Sequence, residues 1–278
     1  MVRRWWLLLC LVAPAPALGQ APIPPLAGVA RAAFPWEQWE VRVPDLRPWL
    51  ARVRFCDSCE ALVASDLAVW HVVDLDGDGN ADLLRTAGNP PGLEVIEGRV
   101  YRSTNRGMIM QAWNEAQIVG LVRQVPGPGS YLVVRGAPFG MCEPEETWLA
   151  FMRPSAPADS PPFREESRVH FVRQVTWPRT WLPAPIRLRV IQDEYNLRGA
   201  PLADDTTQTE SECQGTLRGN VVATFRLGTT AVALAQRQVG ARIWYFLVTD
   251  PGSQFTTTFG LPPGARLAGW MSSRWLER

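Results

Sequence analysis

Apolar and polar residues alternate over short stretches along most of the chain, and Gly- or Pro-containing turns separate the stretches. This period-2 pattern predicts strands over 67–73, 82–87, 93–103, 117–125, 130–137, 147–153 and 168–175. A strand opens the segment 186–201, and 220–236 reads as strand, Gly turn, strand. A further strand is expected over 241–249, and LAGWMSSRWLE (267–277) ends the chain. In 242–248 (RIWYFLV) both alternating sets are apolar, so that strand should be buried on both faces, one against its own unit and one against a neighbour. Helical spacing occurs once: Leu46, Trp49, Leu50 and Val53 fall at i, i+3, i+4 and i+7. Asp45 is placed to cap that turn, and Pro48 sits where its missing N–H does no harm.

These elements divide the chain. Residues 1–19 read as a signal peptide and 20–44 as a Pro-rich leader, its first part (20–35) extended or disordered. Residues 45–175 form a β-rich domain, 176–185 a Pro-rich linker, and 186–278 a second β unit. Two polar insertions, 202–218 and 250–264, interrupt the second unit. The expected fold class is therefore mostly β, with few helices. Twenty-five prolines and 22 glycines agree with a turn-rich chain.

The 278 residues suffice for one large or two modest domains, each with its own core. All 28 basic residues are arginine, which excludes Schiff-base, phosphate-loop and kinase-type lysine chemistry. The net charge is +1 and no basic stripe is present, so nucleic acid is not an expected partner. Arg3 and Arg4 precede the apolar run Trp5–Val12, and small residues follow with a cleavage site at Ala17–Gly19. That run is too short to span a bilayer, and no later stretch reads as a transmembrane helix. The expectation is an exported protein, periplasmic or extracellular.

Export sets the reading of the cysteines. Cys56, Cys59, Cys142 and Cys213 remain after the signal, an even number that suits two structural disulfides in an oxidising compartment. Three pairings exist; Cys56–Cys59 with Cys142–Cys213 is preferred. The spacing CDSC also matches half a zinc site, but no second pair at similar spacing accompanies it.

The segment 72–85 (VVDLDGDGNADLLR) concentrates Asp74, Asp76, Asp78 and Asp82 within nine positions. Four carboxylates so close repel one another unless a hard cation sits among them. Calcium takes six to eight oxygens in flexible geometry. Asp74, Asp76 and Asp78 stand at positions 1, 3 and 5 of such a loop. Gly79 permits the turn, Asn80 offers its carbonyl at position 7, and Asp82 closes the shell at position 9. Position 12 is Arg85 rather than a bidentate Glu, and the flanks are strand-like, which excludes a helix–loop–helix site. The ten residues from Asp74 to Leu83 resemble the FG-GAP (integrin-like) repeats, whose DxDGDGxxDL bridges two strands. The resemblance implies a structural calcium ion rather than a catalytic one.

Residues 186–278 resemble a bacterial Src-homology-3-type domain. The matched positions are Leu197, Arg198 and Pro201 in YNLRGAP, and Gly219, Val221 and Gly228 in GNVVATFRLGT. Trp244 and Val248 in RIWYFLV follow, then Gly269, Trp270, Ser273, Arg274 and Leu276 in GWMSSRWLE. Short strands with frequent turns agree with the small closed barrel that the resemblance implies. Such domains bind cell-wall peptides or glycans, or act as spacers. Tyr195 and Trp270 are candidates for the floor of a ligand groove, although aromatic residues at such positions are more often core.

No catalytic signature of the serine, cysteine, zinc-protease or phosphate-loop kind is present. The two histidines, His71 and His170, lie among apolar residues in strand-like stretches. The sequence therefore points to a non-enzymatic exported binding or scaffold protein, with peptidoglycan or another envelope component as partner. The alternatives are an envelope or glycan hydrolase using the second unit for targeting, and a metal-dependent phosphodiesterase using the aspartates.

Overall fold

The structure is a computed structural model that describes residues 23–27, 68–74, 80, 82–87, 97–104, 107–114, 116–123, 130–136, 146–155, 163–211, 215–257 and 261–278. The expected helix at 45–53 and Cys56, Cys59, Cys142 and Cys213 lie outside the described residues.

The molecule is mostly β, as the alternation predicts. Four strands, β1 (Ala68–Val73), β2 (Asp82–Ala87), β3 (Glu97–Thr104) and β4 (Gly107–Asn114), form an antiparallel meander in chain order. Strands β5 (Ala116–Arg123), β6 (Ser130–Gly136), β7 (Glu146–Pro154) and β8 (Phe163–Val172) form the next. β4 escapes the period-2 reading because Met108, Ile109 and Met110 run together without alternating. Cross-strand pairing stabilises it instead, along its whole length, against β3.

In the last part of the chain lie β9 (Ile186–Val190), β10 (Tyr195–Arg198), β11 (Gln208–Ser211), β12 (Gly215–Arg218), β13 (Val221–Phe225) and β14 (Thr230–Val239). They are followed by β15 (Arg242–Thr249), β16 (Phe255–Thr256), β17 (Arg266–Ser272), a single 3-10 turn at Ser273–Trp275, and β18 (Leu276–Glu277). β11 and β12 fold the expected polar insertion into a small hairpin of their own.

The small closed barrel does not form. The strand path β16–β13–β10–β17–β15–β14–β9–β18 stays open. The cause is the divided edge of β17. One edge pairs with β15 over Ala268–Ser272. The other is shared between β10, where Arg198 stands opposite Trp270, and β8, which runs parallel at Arg266↔Val169 and Leu267↔His170. Hydrogen bonding therefore continues from β17 into β8, β7, β6 and β5, in one twelve-stranded sheet.

β15 is buried on both faces, as its two apolar sets require. Trp244, Phe246 and Val248 join a core with Val133, Phe151, Val169 and Trp270, which draws on β6–β8. Tyr245 and Leu247 face a second core with Leu188, Leu197, Phe225 and Met271. The neighbour that buries the Trp244, Phe246 and Val248 face is thus the preceding β-rich unit.

Two segments expected to carry little structure are docked where they are described. Leu26, in the Pro-rich leader, is fully buried in the first core. The segment 176–185 is a packed strap. Trp177 and Trp181 lie against Phe246 at ring-centroid separations of 6.2 and 5.9 Å, and the amide of Leu182 donates to the carbonyl of Leu234. Trp181 is partly buried against the first core, which withdraws apolar area from water, whereas Trp177 keeps 38% of its surface exposed.

Candidate functional sites

The acidic segment connects β1 to β2. Val73 pairs with Asp82, so the chain leaves and re-enters the ladder at the same level. Asp74, next after Val73, is half-buried, and Asp82 is fully buried. Both ends of the loop thus bring a carboxylate to the mouth of one hairpin. Asn80 is exposed. Asp76 and Asp78 lie outside the described residues, and no cluster of three or more metal-ligating side chains occurs among the described ones. The available donors are all oxygen, the set that hard cations prefer. Burial of the Asp82 carboxylate favours a positive charge or strong donors beside it.

The proposed groove floor is corrected for one of its two members. Trp270 is 1% exposed; its ring meets Phe246 edge-on at 5.5 Å, and its indole N–H donates to the carbonyl of Thr176 at 2.6 Å. It is a core residue, because β17 is buried along its whole length. Tyr195 is half-buried and donates its hydroxyl to the carbonyl of Ser272 at 3.0 Å. Burial raises its pKa. The strand pairings bring neither ring to a shared open surface.

Of the matched arginines, Arg198 is buried and forms a hub. Its guanidinium donates to the carbonyl of Asp204 at 2.9 Å, to Oδ1 of Asn220 at 2.9 Å and to Oδ1 of Asp205 at 2.8 Å. It fastens the insertion to β10. Beside it a cleft of about 420 Å³ is lined by Arg173, Gln174, Asp204, Glu210, Leu217 and Asn220. The Asp204 carboxylate accepts from the amides of Thr206 and Thr207, both at 3.0 Å, and these bonds pull its pKa down to about 2.

A second cleft, of about 390 Å³, lies at the seam between β8 and β17. Its strand wall carries Glu165, Ser167, Arg168 and His170, and the other wall is built from Pro262, Pro263, Ala265 and Arg266. His170 and Arg266 are both buried. Arg266 donates from Nε to the carbonyl of Thr249 at 3.0 Å, and burial lowers its pKa more than nearby Asp250 raises it. Glu165 is held by Arg168 at 2.6 Å, and the Arg168 guanidinium lies 4.1 Å from the Trp148 ring centre. Glu166 is held by Arg153 at 2.7 Å. Burial pushes the Glu166 carboxyl up, and hydrogen bonds from Tyr131 and Arg153 reverse the effect and leave its pKa below the usual carboxylate range. Sequence reasoning missed this cleft because it combines residues about 100 positions apart, brought together by a parallel pairing that no local pattern encodes.

His71 pairs with Leu84 across β1 and β2, and His170 with Trp148 across β7 and β8, so both histidines lie in strands as expected. No helix among the described residues is long and apolar enough to cross a membrane. Comparison with family models, curated proteins and solved structures finds no match to this chain.

Proposed function

We propose that the chain is an exported, non-enzymatic binding or scaffold protein of the cell envelope. Calcium at the β1–β2 hairpin stabilises it, and a Src-homology-3-like module over 186–278 contacts cell-wall peptide or glycan. The observation that carries the calcium part is the pairing of Val73 with Asp82, which places Asp74 and the buried Asp82 at one end of one hairpin. Asp74 and Asp82 would hold the ion, and the ion would supply neutralisation of their charge and closure of the loop. The resemblance of 186–278 to envelope-binding domains supports the choice of partner. The export reading rests on Arg3, Arg4 and the apolar run that follows them.

Co-sedimentation of the exported chain with purified peptidoglycan, in calcium and in chelator, tests this reading. Retention in calcium without release of soluble fragments is expected. Release of soluble fragments, or no retention in either condition, would overturn it.

A further inference from the structure

The hairpin of β14 and β15 reaches past the sheet that holds it. β14 pairs with β9 over Thr230–Ala233, and β15 pairs with β17 over Trp244–Val248. From Gln238 to Ile243 the hairpin pairs with nothing but itself among the described residues, through Gln238↔Ile243 and Val239↔Arg242. Every residue from Gln236 to Ile243 is exposed. At the turn Gly240 takes a φ of 58°, and a Cβ there would meet nothing within 4 Å. The tip stands clear of both cores.

Its last rungs are apolar. Val239 and Ile243 keep 38% and 41% of their surface exposed. They belong to neighbouring rungs, so they point to opposite faces, and Ala241 is the only side chain in the turn between Val239 and Arg242.

Charge of one sign surrounds this tip. Arg237 stands opposite Trp244, and Arg242 opposite Val239. Arg274 follows the end of β17, where Ser272 stands opposite Trp244. Burial raises the pKa of Tyr195, whose hydroxyl donates to the Ser272 carbonyl, and the charges of Arg242 and Arg274 both act against that rise. The two guanidinium groups therefore sit near one point. None of the three arginines has an ion pair among the described residues; Arg274 lies over its neighbour Trp275, 5.3 Å from the ring centre. From Asn220 to Leu276 the sequence holds one acid, Asp250. It lies at the hairpin's other end, where its amide donates to the carbonyl of Thr230 at 3.2 Å. Asp193 and Glu194, which precede Tyr195, face Arg226 at 3.4 and 3.8 Å.

Three unpaired arginines suit phosphate groups, and the apolar tip selects between a polyanion in water and a lipid surface. Valine and isoleucine gain nothing from a dissolved polyanion. They gain when a headgroup layer covers them, while long arginine side chains keep their charges at phosphate level. Each arginine near an anionic membrane contributes about fivefold in affinity.

We propose that the β14–β15 tip docks on a bilayer of anionic phospholipid, with Val239 and Ile243 in the headgroup layer and Arg237, Arg242 and Arg274 on lipid phosphates. The inference adds a surface to the chain and does not rest on peptidoglycan binding.

The test is co-sedimentation of the full chain with vesicles, either of phosphatidylcholine alone or of phosphatidylcholine and phosphatidylglycerol in equal parts. The chain should sediment with the mixed vesicles, stay in solution with the neutral ones, and be released by half-molar salt. The double variant Val239→Asp, Ile243→Asp should bind at least tenfold more weakly at an unchanged melting temperature. Should that variant melt lower, Ala241→Asp, in the exposed turn, should give the same loss. Arg237→Gln, Arg242→Gln and Arg274→Gln should each weaken binding about fivefold. Equal retention by both kinds of vesicle, full retention by the aspartate variants, or full retention by the triple glutamine variant would each overturn the proposal. Binding of immobilised polyphosphate by wild type and double variant alike, with no retention on vesicles, would also overturn it and make a soluble polyanion the partner.

Discussion

The indole N–H of Trp270 donates to the carbonyl oxygen of Thr176 across 94 positions of sequence, at 2.6 Å. The contact ties the strap 176–185 to the middle of β17, where the large sheet divides its pairing between β8 and β10. Trp270→Phe keeps most of the apolar volume and leaves that carbonyl without its donor. It should cost about 1–3 kcal/mol. Trp270→Ala opens a cavity as well and should cost roughly 3–5 kcal/mol. Denaturant midpoints of the two variants check the order.

Calcium that binds only the folded chain must raise its melting midpoint. With an affinity in the range of extracellular modules, a Kd of about 10⁻⁴ M, 10 mM calcium should add roughly 2.7 kcal/mol. Asp82→Asn should abolish most of that increment. Thermal melts in calcium and in chelator measure it, and an identical midpoint in both would remove the metal.

Acid should loosen the insertion. The Asp204 carboxyl titrates at about 2 in the folded chain, below its ordinary value of 3.8, because the amides of Thr207 and Thr206 bond its charged form. A group with a depressed folded pKa contributes stability above its unfolded pKa and loses it as pH falls through the folded one. Its contribution should therefore be complete above about pH 5 and fade between pH 4 and pH 2. Asp204→Asn keeps a side-chain acceptor and removes the charge. The gap between its melting midpoint and that of the wild type should be steady from pH 5 to 7 and should shrink below pH 4.

Two glycines separate backbone strain from steric conflict. Gly219 and Gly228 have φ values of 59° and 84°. A Cβ at Gly219 would lie 2.0 Å from the carbonyl oxygen of Asp204, whereas one at Gly228 would meet nothing within 4 Å. Gly228→Ala should cost only the left-handed penalty, about 1–2 kcal/mol. Gly219→Ala should cost more, because Asp204 sits in the turn fastened by Arg198 and cannot retreat freely. Urea melts of the pair test the difference.

Much of the strand content follows from the order of residues alone. The alternation in 67–73 and 82–87 places β1 and β2 within a residue of where they lie, and the carboxylate-rich stretch falls on their connection. The two apolar sets of RIWYFLV foretell burial of β15 on both faces. These features are written in side chains, whose polarity and spacing can be read one strand at a time. The sharing of β17 between β8 and β10, the open path in place of a closed barrel, the strap under Trp270 and the cleft beside Arg266 depend on which edges meet. A strand edge is backbone, nearly the same for every residue, so local sequence leaves its partner open. Only packing of the two cores against β15 settles which strands come together, and with them the surfaces available for binding.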